Sequence, residues 1–132
     1  MANEINIISG FTASKGGVAV SLSGNKTTSM ATTANNLIHT VQDVGATPEN
    51  VQLGDISTAD EYMVALKNLD STAYIDVDFY SGDASTQVRI RPGETSGPFR
   101  MKPVDINALR VRSSSGTIMM EVISCEAGDP AV

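Results

Sequence analysis

Ile75-Asp-Val-Asp-Phe79 and Val88-Arg-Ile-Arg91 decide how this chain is read. In both runs an apolar residue takes every second position and a charged one fills the gap, the signature of a half-buried strand. The second run stops at Pro92-Gly93, a strong turn signal. Tyr74–Tyr80 and Thr86–Arg91 are expected to pair antiparallel across a loop at Gly82-Asp-Ala-Ser85. The expected register sets Val77 opposite Ile90 and Phe79 opposite Val88, which brings Asp76 to Arg91 and Asp78 to Arg89. Apolar pairs then share one face and opposite charges the other, each pair contributing roughly 0.2–1 kcal/mol. A slip of one residue would bury four charges, so that register is expected to be strongly specified.

The same alternation recurs outward from this hairpin. Val18-Ala-Val-Ser-Leu22 shows it before a turn-like Ser23-Gly-Asn25, and Ala108–Arg112 and Thr117–Cys125 flank the turn-prone Ser113-Ser-Ser-Gly116. Asp60–Leu69 is long enough for a helix, but Tyr62, Val64 and Leu66 alternate and Asn68–Ser71 reads as a turn, so a strand is preferred. About eight or nine short strands at this spacing predict an all-β fold, an antiparallel β-sandwich or jelly-roll-like arrangement.

The 132 residues make one domain, 1–132, with residues 1–14 as an extended N-terminal arm. Fifteen acids against nine bases, a net charge of −6, oppose nucleic-acid binding. The single Cys125 and single His39 exclude an internal disulfide, a zinc cluster and a blue-copper set. The N-terminus lacks a basic segment followed by an apolar run, and no apolar run is long enough to span a bilayer as a helix. Asn25-Lys-Thr27 matches a glycosylation sequon and is read as a chance match in a polar turn.

Charge is segregated along the chain. Nine acids face only Lys67 between Asp43 and Asp83, whereas six bases face Glu94 and Asp105 between Arg89 and Arg112. Arg89 with Arg91, and Arg110 with Arg112, each share a strand face and make a basic stripe without the interleaved aromatics that stack bases. The stripe is read as a solvated face neutralised by Asp76 and Asp78, or as a contact between subunits of complementary charge. Asp76–Asp83 resembles a calcium loop only superficially. An EF-hand loop needs an oxygen ligand at its fifth position, Gly at its sixth and Glu at its twelfth, where this chain has Tyr80, Ser81 and Gln87. Cys125 reads as a small buried hydrophobe and His39 as a partly buried strand residue, so a Cys–His dyad is not expected. With no Trp and 5% aromatic residues there is little to stack on sugars, and the Gly-Lys spacing of a phosphate-binding loop is missing. No cofactor is implied, and an enzyme is not expected.

From Val51 onward the chain resembles a known class. Val51-Gln-Leu-Gly-Asp-Ile-Ser57, Leu66-Lys-Asn-Leu-Asp70, Tyr74-Ile-Asp-Val77, Arg91-Pro-Gly-Glu94, Gly97-Pro-Phe-Arg100, Leu109-Arg-Val111 and the closing Ile118–Glu126 are similar to small virion structural proteins of tailed bacteriophages. The likeness spans about residues 44–126 and rests on strand and turn residues. It implies a β-sandwich head decoration (cement) protein or a neck or tail part, with no catalytic residues. The partners it implies are the major capsid protein and copies of the chain itself, as a homotrimer matched to threefold sites of the shell. Neither nucleic acid nor membrane is among them, and the location is the virion surface after assembly in the bacterial cytoplasm. Arg89, Arg91, Arg110, Arg112, Asp76 and Asp78 are then the candidate contacts. A glycan- or receptor-binding module is the alternative from another class, with Tyr62, Tyr74 and Tyr80 as its only tyrosines.

Overall fold

A strand with one apolar face needs a second layer to cover it, and here the layers are two sheets wrapped from a single folded ribbon of chain. The computed structural model describes residues 4–29, 37–56, 61–78, 88–101 and 109–126. Among them are ten strands and no helix: β1 (Glu4–Lys15), β2 (Val18–Ser29), β3 (Leu37–Val44), β4 (Glu49–Asn50), β5 (Tyr62–Asn68), β6 (Ile75–Asp78), β7 (Val88–Ile90), β8 (Thr95–Met101), β9 (Arg110–Ser113) and β10 (Ile118–Glu126). The all-β antiparallel expectation holds, with ten strands in place of eight or nine. One sheet has the order β3-β10-β5-β8 and the second β4-β9-β6-β7, while β1 and β2 form a separate ribbon.

The pairing is nested. β3 pairs with β10, β4 with β9, β5 with β8 and β6 with β7, all antiparallel, and successive pairs alternate between the two sheets. A long hairpin of eight strands thus wraps around its own core, which is the strand order of a jelly roll. Cross-links between wraps, β10 with β5 and β9 with β6, close the two sheets. Val44, Val64, Leu66, Met120 and Val122 from the first sheet meet Ile75, Val77, Ile90 and Val111 from the second in one buried cluster. Full burial of each such aliphatic stabilises by about 1.5–3 kcal/mol. On β5 the alternating Tyr62, Val64, Leu66 and Asn68 are all buried, as the strand reading requires.

The β6–β7 register departs from expectation. Ile75 lies opposite Ile90, Asp76 opposite Arg89 and Val77 opposite Val88, a shift of two residues. Such a shift leaves every side chain on its face, so alternation alone does not resolve it. The expected Asp76–Arg91 and Asp78–Arg89 pairs are therefore replaced by Asp76 with Arg89, and by Asp78 opposite Arg110 of β9. The proposed Phe79–Val88 pair and the Gly82–Ser85 loop lie outside the described residues.

The N-terminal region also differs. Gly16 and Gly17, with φ of 58° and 83°, make the two-residue turn, because a tight hairpin turn of this twist needs positive φ at both central positions. Ser23-Gly-Asn25 is not a turn but the middle of β2, with Gly24 opposite Ser9 and the Ser9 hydroxyl donating to the Gly24 carbonyl at 3.2 Å. The sequon Asn25-Lys-Thr27 accordingly starts within a strand, opposite Ile8. Residues 4–15 are one half of a ribbon and not a single extended arm.

Candidate assembly surfaces

Three surfaces outside the core carry unusual side chains. On the outer face of the second sheet, Asp76 sits on β6 between Arg89 of β7 and Arg112 of β9. Arg89 donates to the Asp76 carboxylate from Nε at 2.8 Å and from Nη2 at 3.3 Å, and Arg112 Nη2 lies 3.9 Å away. The Arg89 guanidinium also stacks 3.9 Å above the Tyr74 ring centroid. Donating these hydrogen bonds to Asp76 raises the Arg89 pKa, so the guanidinium keeps its charge. Arg110 reaches from β9 to the Pro48 carbonyl at 3.4 Å. Arg91 follows β7 at the turn, where its backbone N–H donates to the Glu94 carboxylate at 3.0 Å. The structure thus gathers Arg89, Arg112 and Asp76 into one cluster, with Asp78 and Arg110 one step along the same face, and leaves Arg91 apart.

The second surface is the ribbon. Cross-strand partners share a face, so Ile5, Ile7, Phe11 and Ala13 of β1 lie on the same side as Leu22, Val20 and Val18 of β2. The opposite side carries Ile8, Gly10, Thr12 and Ser14 against Asn25, Ser23, Ser21 and Ala19, so it is polar except for Ile8. At the root, Ile5 and Ile7 pack over buried Met63 and Cys125 on the outer face of the first sheet. A cleft of about 270 Å³ remains beneath the root, lined mainly by apolar side chains, among them Ile123 and Pro98. Beyond the root every described side chain from Ile8 to Lys26 is exposed, including Phe11 at 67% and Leu22 at 75%.

The third surface continues from that root across β3 and β10. Their outward positions are Leu37, His39, Val41 and Asp43 opposite Cys125, Ile123, Glu121 and Met119. Leu37, Val41, Met119 and Ile123 are exposed large hydrophobics. The His39 imidazole bonds to the Glu121 carboxylate at the centre of this face. His39 is therefore exposed, a correction to the partly buried residue expected, and its partner is a carboxylate and not Cys125. Burial raises the Cys125 pKa, with Arg100 opposing weakly, so the thiol stays protonated.

Among the described residues no three His, Cys, Asp or Glu side chains gather to hold a metal ion. Of the three tyrosines, Tyr62 is buried in the core and Tyr74 stacks under Arg89, while Tyr80 lies outside the described residues. Sequence reading missed the ribbon's apolar side and the third surface. The signal for the first was present, since Gly16-Gly17 is a hairpin dipeptide between two alternating runs. No protein-family model, no curated protein and no solved structure matches the chain.

Proposed function

We propose that this chain is a structural protein of a tailed-phage virion, a capsid decoration protein that binds the outside of the head as a homotrimer and stabilises the shell. The observation that carries the reading is the pair of apolar surfaces outside a complete core. An isolated two-stranded ribbon is marginal in water, and soluble monomers rarely keep contiguous apolar patches uncovered. Such surfaces suit a chain that works when docked. The jelly-roll order supports the reading as analogy, because capsid proteins use it, although lectins and cupins do too. The resemblance of residues 44–126 to small virion proteins narrows the class. The burial of Tyr62 and the stacking of Tyr74 under Arg89 weigh against the glycan-binding alternative, which needs convergent aromatic and polar groups.

Co-sedimentation with heads of the encoding phage tests the proposal. Saturable pelleting with heads, and none with isolated tails, is the expected result. Pelleting with tails alone would move the chain to the neck or tail. Failure to pellet with either, together with glycan binding, would make it a binding module.

A further inference from the structure

We infer that the cleft beneath the ribbon root binds a medium-chain alkyl carboxylate, its alkyl chain held between ribbon and sheet and its carboxylate at the rim beside Arg100. The inference stands apart from docking to a shell and is tested on purified protein alone.

The cleft is a slot with two apolar walls. Ile5 and Ile7 of β1 line it on one side, Met63 and Ala65 of β5 and Ile123 and Cys125 of β10 on the other. The sheet wall is two adjacent rows, Met63 beside Cys125 and Ala65 beside Ile123. Its polar lining is already committed. The Ser124 hydroxyl donates to the Met63 carbonyl at 2.7 Å, and Asn6 has a partner of its own. Burial keeps the Cys125 thiol neutral. Water entering the slot finds few of the two to four partners it needs, whereas an alkyl chain gains by leaving water.

The volume of about 270 Å³ sets the length of that chain. An apolar cavity of about 150 Å³ takes one benzene, and a methylene needs roughly the 30 Å³ of a water, so about nine carbons fill the slot. A charged head does not follow the chain inside, because an unpaired charge is costly to bury, and it stays at the rim.

Charge at the rim selects the head. Arg100 of β8 lies opposite Met63, in the same row as Cys125, and its field reaches the thiol. Lys26 lies opposite Ile7, on the side of the ribbon that faces the sheet. Neither cation is in an ion pair among the described residues. Against the two stands Glu61, the residue before β5. The acids of β3 and β10 on this face lie further off. Glu121 is one row past Ile123, bonded to His39 and opposite Lys67, and Asp43 is a row beyond. The rim is therefore net positive. Opposite charge orients a carboxylate there while the slot holds its chain.

Cys125 lines the slot and reports its occupancy. Hexanoate, octanoate, decanoate and dodecanoate, each below its micelle concentration, are expected to protect the thiol from a labelling reagent saturably. The midpoint should tighten by up to about fourfold per buried methylene and level off near nine or ten carbons. Arg100→Gln should weaken decanoate several-fold and leave decanol unchanged. Ala65→Leu fills the slot and should abolish protection. Ile123→Trp is a second filling variant at an exposed position, and far-UV circular dichroism confirms that each chain is folded. No protection by decanoate at millimolar concentration overturns the inference. So does tightening that continues through dodecanoate without levelling, which would mean adsorption to the open apolar faces. Unchanged decanoate binding in folded Arg100→Gln, or in both filling variants, would place the head or the chain elsewhere and overturn it as well.

Discussion

Asn68, at the end of β5, is fully buried and ties three segments together. Its Nδ2 donates to the carbonyls of Ala73 at 2.8 Å and Ile90 at 3.0 Å, and its Oδ1 accepts from the Asp70 N–H at 2.9 Å. Asn68→Ala strips all three bonds from a buried site, and chemical denaturation should show a loss of about 3 kcal/mol. Next to it, the Asp70 carboxylate accepts from the backbone of Ala73 at 2.7 Å and of Thr72 at 3.0 Å. These bonds, the one from Ala73 first, lower the Asp70 pKa in the folded state. The stabilisation is therefore complete above the unfolded carboxylate range and is lost as pH falls below about 4. In an acid titration of stability, Asp70→Asn should flatten the slope below that pH and leave the neutral plateau shape unchanged. Gly97 has φ of 100°, and a Cβ there would sit 2.8 Å from the Val64 carbonyl oxygen, at the bulge where β8 passes β5. Gly97→Ala should cost about 2–3 kcal/mol in the same assay. The end of the strand at Asn68–Ser71 was legible from residue types, but the depth of Asn68 was not, because it depends on β7 bringing the Ile90 carbonyl to it from 22 residues away.

Elements were legible to the extent that one residue type answers for each position. Alternation identified β5, β6, β7, β9 and β10, since a strand with one buried face must repeat every second residue. It left the β6–β7 register open by two, and only Asp76, flanked by Arg89 and by Arg112 of the third strand β9, resolves it. That Asp76 neutralises arginines on this strand face was legible; that its partners are Arg89 and Arg112 and not Arg91 was not, because β7 ends at Ile90. The ribbon was misjudged because Ser, Thr and Asn in β2 look like a turn until β1 is recognised as their partner. Its root makes a chemical prediction. Ile5 and Ile7 cover Cys125, and burial keeps that thiol protonated. Labelling with a thiol reagent at mild alkaline pH should be slow in the parent chain. Ile5→Ala with Ile7→Ala should speed it at least several-fold without a change in far-UV circular dichroism, whereas an unchanged rate would show that the root does not shield the sheet.

At the scale of the whole molecule, composition and alternation were enough for an all-β sandwich, and the nesting of its strand pairs was not readable from local patterns. β3 and β10 lie at opposite ends of the sandwich sequence, yet they pair over eight positions. Only the closing of one core by both sheets selects that partner. The outward apolar positions Val41, Met119 and Ile123 were hidden for a related reason: on a chain read alone they look like core residues, and they prove exposed only once both faces are assigned. A closed core with uncovered apolar surfaces beyond it is the physical basis for reading this chain as a subunit that works docked to a shell. The most direct test is its position on the virus particle, by gold-labelled antibody and electron microscopy. Label distributed over the faces of the head is the predicted result. Label confined to the neck or tail, or none on purified particles, would contradict the assignment.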